Sequence, residues 1–296
     1  SDGEDGAAGS DGEDGAAGSD GVDSASIVRN IPVSNMITTL DSAYDVGSHS
    51  SITIGADGLG LISYNTDTFS DLKVAHCSDT DCTTATITMI DPSVIESYSS
   101  ITIGADGLGL ISYYGWNKDL KVAHCSNTNC TTATITTLDS TGYVGSHSSI
   151  TIGADGLGLI SYYDHTNEDL KIAHCSNTNC TAATITTLDN GSFGAYLFDI
   201  NVGNYTSITI GADGLGLISY ADNTNNDLKV AHCSNTNCTT ATITTLDPTG
   251  YVGSYTSITI GADGLGLISY YHSNKTALMV AHCSDINCTT ATITTL

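Results

Sequence analysis

Apolar and polar residues alternate with a period of two along most of this chain, and no stretch carries the 3.6-residue period of a helix. Residues 149–154 alternate Ser, Ile, Thr, Ile before Gly-Ala, the pattern of a strand with one covered face. Asp155-Gly156 follows, a pair that tolerates positive φ and predicts a two-residue hairpin turn. Residues 157–163 form the second predicted strand, 164–169 a polar loop, and 170–175 a third strand with Leu170, Ile172 and His174 on one face. A turn at 176–179 leads to a fourth strand at 180–188, rich in Thr and Ile and opening on the second cysteine of the unit.

This unit recurs. Gly-Ala-Asp-Gly-Leu-Gly-Leu-Ile-Ser-Tyr begins at Gly55, Gly104, Gly153, Gly211 and Gly261, at spacings of 49, 49, 58 and 50 residues. Four antiparallel strands per unit and a period near 50 describe the blade of a propeller. One blade cannot cover both of its faces, so each needs a neighbour on either side. The expected fold is therefore all-β, a five-bladed β-propeller over residues 35–296, with blades at about 50–91, 99–139, 148–189, 206–247 and 256–296. An open β-solenoid is the rival, with shorter coils and fewer hairpins. Residues 35–41 repeat the fourth-strand sequence ahead of the first full unit, which predicts an extra outer strand that closes the ring or adds to an edge, with pairing to another molecule by β-augmentation as the alternative.

The first 21 residues differ. Gly3, Gly6, Gly9, Gly12, Gly15, Gly18 and Gly21 fall on every third position. Strict Gly-X-Y is the collagen register, since only glycine fits the crowded axis of the triple helix. Seven triplets would span roughly 65 Å at the polyproline rise of about 3.1 Å per residue. The segment lacks proline and carries unbalanced acidic residues, and a flexible linker is the alternative reading. A triple helix implies a homotrimer, joined to the blades by a linker at 22–34.

Charge narrows the partners. With 32 acidic residues against seven basic ones, the net charge of −25 repels nucleic acid and anionic membranes. No apolar run reaches the 18 or more residues of a membrane span.

Ten cysteines fall in five Cys-x4-Cys pairs: Cys77/Cys82, Cys125/Cys130, Cys175/Cys180, Cys233/Cys238 and Cys283/Cys288. Matched local pairs across a short turn predict disulfides and an oxidising compartment, extracellular or at the cell surface. A histidine precedes the first Cys each time (His76, His124, His174, His232, His282), which raises a zinc reading. Adjacent strand residues point to opposite faces and no fourth ligand is visible, so the histidines read as packing residues with a hydrogen-bond partner. No cofactor is expected. Calcium in the Asp/Asn-rich loops, such as 222–227, is the candidate considered.

Glycosylation sequons occur at Asn129, Asn179, Asn237 and Asn287, on the same turn of four blades, and at Asn190, Asn204 and Asn274. The insertion at 189–206 holds Phe193, Tyr196, Leu197 and Phe198, the one apolar asymmetry among the repeats and a candidate contact between subunits. Trp116 is a second singular aromatic.

The Asp-Gly hairpin, Ile-Ser-Tyr-Tyr, Asp-Leu-Lys-Val-Ala-His-Cys and the second Cys resemble the repeats of bacterial extracellular β-propellers, over about residues 35–296. The glycine triplets resemble those of bacterial collagen-like surface proteins. Together the resemblances imply a trimeric stalk bearing propeller heads, used in surface fibres or adhesion. Nearly every candidate catalytic residue is repeated five times, whereas catalysis needs a unique constellation. The expectation is therefore a non-enzymatic structural component of an extracellular fibre or appendage, self-associating as a trimer or filament. The alternative is a multivalent carbohydrate-binding lectin or adhesin, similar to five-bladed lectins of the tachylectin type, with Tyr64, Tyr114, Tyr163, Tyr220 and Tyr271 stacking on sugars between blades.

Overall fold

The computed structural model describes residues 37–43, 45–67, 71–92, 98–191 and 201–296. The chain divides into two units, residues 1–37 and 38–296. The glycine triplets, the linker at 22–34 and Phe193, Tyr196, Leu197 and Phe198 lie outside the described residues.

Twenty strands form five four-stranded antiparallel sheets, each in plain sequence order. Blade 1 is β1 (Val46–Ile54), β2 (Gly60–Thr66), β3 (Asp71–Cys77) and β4 (Ala85–Asp91). Blade 2 is β5 (Ser100–Ile103), β6 (Gly109–Tyr114), β7 (Leu120–Cys125) and β8 (Ala133–Asp139). Blade 3 is β9 (Val144–Ile152), β10 (Gly158–Asp164), β11 (Asp169–Cys175) and β12 (Ala183–Asp189). Blade 4 is β13 (Val202–Ile210), β14 (Gly216–Asp222), β15 (Asp227–Cys233) and β16 (Ala241–Asp247). Blade 5 is β17 (Val252–Ile260), β18 (Gly266–His272), β19 (Ala277–Cys283) and β20 (Ala291–Thr295). This is the five-bladed β-propeller that the repeat predicts. The hairpin differs in detail. Ile54 pairs with Gly60, so five residues connect the strands, and Gly58 N–H closes a β-turn on Gly55 C=O at 2.9 Å.

The middle strands read apolar on both faces because blades 2, 3 and 4 each have a neighbour on both sides. Leu110, Leu120 and Val122 of blade 2 pack against Ile150, Ile160, Tyr162 and Ala173 of blade 3. The same residue set meets between blades 1 and 2, 3 and 4, and 4 and 5.

Each Cys pair is a disulfide: Cys77–Cys82, Cys125–Cys130, Cys175–Cys180, Cys233–Cys238 and Cys283–Cys288, with Cα atoms 4.8–4.9 Å apart. The placement of the second cysteine at the start of the fourth strand is corrected. Cys82, Cys130, Cys180, Cys238 and Cys288 lie in the turn, at φ of 49°, 49°, 50°, 50° and 53°. Their amides donate to the carbonyls of Asp79, Asn127, Asn177, Asn235 and Asp285 at 3.0–3.1 Å. Left-handed backbone cannot continue an extended ladder, so the fourth strand begins only at the alanine three residues on. The first cysteine of each pair does end the third strand, as expected. The bridges therefore tie a strand to a turn, and they pack over the second strand. A Cβ on Gly158 would sit 2.8 Å from Cys175 Sγ. That contact accounts for a glycine recurring inside a strand.

Polar groups tie the blades. Tyr113, Tyr162, Tyr220 and Tyr270 each donate from the hydroxyl to the aspartate that ends the previous blade, Asp91, Asp139, Asp189 and Asp247, at 2.7–2.9 Å. Lys121, Lys171 and Lys229 reach the same carboxylates. For blade 1 the carboxylate comes from Asp41, which accepts from Tyr64 at 2.8 Å and Lys73 at 3.0 Å. Burial pushes Asp41 up, but hydrogen bonds from Ala43 N–H, Tyr64 and Lys73 outweigh it and hold the carboxyl below its ordinary value. The expected outer strand at 35–41 is corrected at this point: residues 37–41 belong to no strand. What the repeated sequence preserves is the carboxylate that receives Tyr64 and Lys73.

One seam stays open. Ile52 is 65% exposed, while its counterparts Ile101, Ile150, Ile208 and Ile258 are 5%, 6%, 6% and 7% exposed. On the far face of blade 5, Leu278 is 52% exposed, while Leu72, Leu120, Leu170 and Leu228 are at 0%.

Candidate functional site

The inner strands converge on a pocket of about 410 Å³ to which every blade contributes. Its rim is one aromatic ring per blade: His49, Tyr98, His147, Tyr205 and Tyr255. Next to each stands a hydroxyl, from Ser50, Ser99, Ser148, Thr206 and Thr256.

A backbone irregularity places the rings. In blades 1, 3, 4 and 5 the register between the first two strands slips just beside the aromatic residue, a β-bulge. His49, His147, Tyr205 and Tyr255 sit there at φ of 48°, 54°, 54° and 55°. Left-handed backbone at a bulky residue costs about 1–2 kcal/mol and persists where surrounding structure enforces it. The enforcement is visible two residues upstream. Gly145 (φ 106°) and Gly203 (φ 100°) lie so close to the preceding blade that a Cβ would come within 2.7 Å of the Leu120 and Leu170 Cα atoms.

The rings touch in series. Centroid separations are 4.2 Å for His49–Tyr98, 4.1 Å for Tyr98–His147, 4.5 Å for His147–Tyr205 and 4.5 Å for Tyr205–Tyr255. The hydroxyls beneath bond from blade to blade: Ser63 with Ser99 (2.9 Å), Ser112 to Ser148 (3.0 Å), Thr206 to Ser161 (2.8 Å) and Ser219 with Thr256 (2.7 Å). Burial, and then the positive charge His49 can carry, push the His147 imidazole down to about 4, so it is neutral at pH 7. Burial, reinforced by a hydrogen bond with Tyr255, pushes the Tyr205 hydroxyl up to about 12. The pocket thus offers aromatic faces, hydroxyls and neutral nitrogen, with no carboxylate or ammonium among its lining residues.

The residues singled out from sequence fall elsewhere. Tyr64 and Tyr220 are buried partners of Asp41 and Asp189, Tyr163 is buried, and Tyr114 and Tyr271 lie apart from the axial pocket. The assignment of Tyr64, Tyr163 and Tyr220 as sugar platforms between blades is therefore corrected. His76, His124, His174, His232 and His282 each pair through Nε2 with the hairpin aspartate of their own blade, at 2.7–2.8 Å. Among the described residues, no group of three or more His, Cys, Asp or Glu is placed to hold a metal ion. In the loop considered for calcium, Asp222 is engaged by Lys229 at 2.7 Å and Asn225 at 2.9 Å. Asn129, Asn179, Asn190, Asn237, Asn274 and Asn287 are exposed, whereas Asn204 is buried and bonded to Asn201, out of reach of a glycan. The axial ring itself left a faint trace in the sequence. A His or Tyr precedes Ser/Thr-Ser-Ile-Thr-Ile in all five units. The alternation of two residue types hid it.

No protein-family model matches the sequence, and no curated protein matches it. Solved structures do. The periplasmic gluconolactonase of Pseudomonas aeruginosa is 11% identical, with 83% of this chain and 68% of that one covered, at a TM-score of 0.55. The exo-β-1,3-galactanase of Phanerochaete chrysosporium, solved with galactose, is 9% identical, with 87% and 67% covered, at a TM-score of 0.52. An α-L-arabinofuranosidase from Lactobacillus brevis is 10% identical, with 85% and 91% covered, at a TM-score of 0.49. At these identities the shared property is the propeller fold. The comparison corrects the expectation of a non-enzymatic fibre or adhesion component. That expectation took repeated blades to exclude a catalytic site, yet the gluconolactonase and the galactanase are enzymes on this fold. The axial pocket supplies the physical reason: its order of His, Tyr, His, Tyr, Tyr is not fivefold, so a repeated scaffold encloses a site that occurs once.

Proposed function

We propose that the protein is a carbohydrate-active enzyme that takes a neutral saccharide into the axial pocket. The observation that carries this reading is the set of five aromatic side chains at one rim, four of them placed by strained backbone, beside a set of hydroxyls. Aromatic faces suit the apolar face of a sugar ring, and hydroxyls suit its edge. A volume of about 410 Å³ lies within the usual range for small-ligand sites. The absence of carboxylates and ammonium groups from the lining residues favours a neutral ligand. The solved gluconolactonase and galactanase, both named for sugar substrates, agree in class. The five disulfides support an extracellular location.

The groups able to move a proton in the pocket are the imidazoles of His49 and His147 and the three phenols. A pair of carboxylates, the usual requirement for glycoside hydrolysis, is not among the lining residues. Opening of a sugar lactone or ester by water, with imidazole accepting the proton, is the hydrolysis that this set serves best. The test is calorimetric titration with galactose and a non-hydrolysable saccharide, alongside base consumption on an aldonolactone. Binding and turnover, both reduced at least tenfold in Tyr98→Ala and Tyr205→Ala, are expected. Neither binding nor turnover in the folded wild-type protein would refute the assignment.

A further inference from the structure

The four internal seams share one recipe. The earlier blade presents Leu, Leu and Val or Ile, and the later blade presents Ile, Ile, Tyr and Ala against them. A hydrogen bond repeats with the packing. The amides of Ile101, Ile150, Ile208 and Ile258 each donate to a serine hydroxyl of the preceding blade (Ser51, Ser100, Ser149, Ser207), every time at 3.2 Å. Part of each half is also left uncovered on the two end blades. On the later-blade side, blade 1 exposes Ile52 and its neighbour Ile54, while Ile62 is partly covered and Tyr64 and Ala75 are buried in a cleft that residues 38–41 also line. Blade 5 exposes Leu278, with Leu267 and Val280 only partly covered and Ser257 on the surface, the earlier-blade half. The amide-to-hydroxyl bond of the other seams is not made between Ile52 and Ser257.

We infer that these two faces are a head-to-tail interface, in which blade 5 of one molecule packs on blade 1 of a second copy of this chain. The occupant follows from continuity with the internal seams. The surface that fits Ile52 and Ile54 is one carrying Leu267, Leu278 and Val280, and among the described residues that surface is free on blade 5 alone. Asp41 already fills the carboxylate position on blade 1, so the incoming blade need bring only its apolar residues and Ser257. The contact is heterologous, with different surfaces on the two partners, so association can continue beyond a pair. It is independent of the axial pocket and of any saccharide.

The test is complementation of two interface variants. Ile52→Glu blocks the blade 1 face and Leu278→Glu blocks the blade 5 face, both at sites already more than half exposed. Wild-type protein should rise in mass with concentration by light scattering, in whole multiples of the monomer. Each variant alone should remain monomeric. Their mixture should form a one-to-one pair that grows no further, since each retains the face the other lacks. Circular dichroism checks that the variants fold, with Ile54→Lys replacing Ile52→Glu if it does not. A wild type that stays monomeric at all concentrations, including one whose faces close on each other within a single chain, overturns the inference. So does a mixture that stays monomeric.

Discussion

Replacing His147 with tyrosine should remove a defined part of the protein's acid sensitivity. The repeat supplies the design, since Tyr98, Tyr205 and Tyr255 occupy the same position in other blades. In the folded protein burial holds the His147 imidazole near 4, against an ordinary value of 6.5. The unfolded chain therefore takes up the proton first as pH falls. Stability from this group is fully present above pH 6.5 and is lost progressively as pH falls towards 4. A drop from 6.5 to about 4 corresponds to about 3 kcal/mol at full expression, and less if water reaches the rim of the pocket. Urea denaturation of wild type and His147→Tyr at neutral pH and near pH 4 gives the comparison. Carboxylates titrate alike in both proteins, so the difference in their pH dependence isolates the imidazole. The variant should lose about 2–3 kcal/mol less than wild type over this interval. Carbon-detected NMR of the His147 ring reads the same quantity directly. Equal pH slopes, or an imidazole titrating near 6.5, would refute the account of the pocket as a desolvated site.

Tyr162→Phe removes the hydroxyl that donates to Asp139 at 2.7 Å, and thermal denaturation should show a loss of about 1–2 kcal/mol, with Lys171 still holding the carboxylate. Serine in place of both Cys175 and Cys180 should destabilise the fold by about 2 kcal/mol through loop entropy, measured by denaturant titration under oxidising conditions. Blade 5 carries buried His272, whose ring nitrogens lack partners, and Met279 in place of the Asp–Lys pairs of blades 3 and 4. His272→Asp should destabilise strongly, Met279→Lys should rescue it, and a double-mutant cycle should give a coupling above about 1 kcal/mol. Burial, and then the charge of Asp164, raise the Asp169 carboxyl to about 6. Its contribution is present below about pH 4 and lost as pH rises through 6, so Asp169→Asn should flatten stability over that range.

Much of the architecture was legible before any coordinates. A period near 50, Asp-Gly hairpins and two apolar faces on the middle strands define stacked four-stranded blades, because strand alternation and turn chemistry are local properties. The Cys-x4-Cys spacing likewise belongs to one hairpin, although it does not reveal that Cys82, Cys130, Cys180, Cys238 and Cys288 take left-handed backbone ahead of the fourth strand. The second appearance of the Ile-Thr-Thr-Leu-Asp sequence misled. It marks a carboxylate needed by Tyr64 and Lys73, a contact across blades, and not a strand. The axial ring was hidden for the same reason. His49, Tyr98, His147, Tyr205 and Tyr255 lie about 50 residues apart in sequence and meet only at the centre of the propeller.

The sequence by itself therefore determined what repeats: the strand, the turn, the disulfide and the number of blades. Tertiary structure decided what occurs once. Stacking the blades brings one side chain from each to a common axis, so variation spread thinly along the chain becomes a single pocket of defined chemistry. The same stacking leaves Ile52 and Leu278 uncovered at the two ends of the series, although their counterparts in the repeat are buried. Identical sequence at those positions gives no hint of that difference, because burial depends on what lies beside a blade rather than on the blade itself.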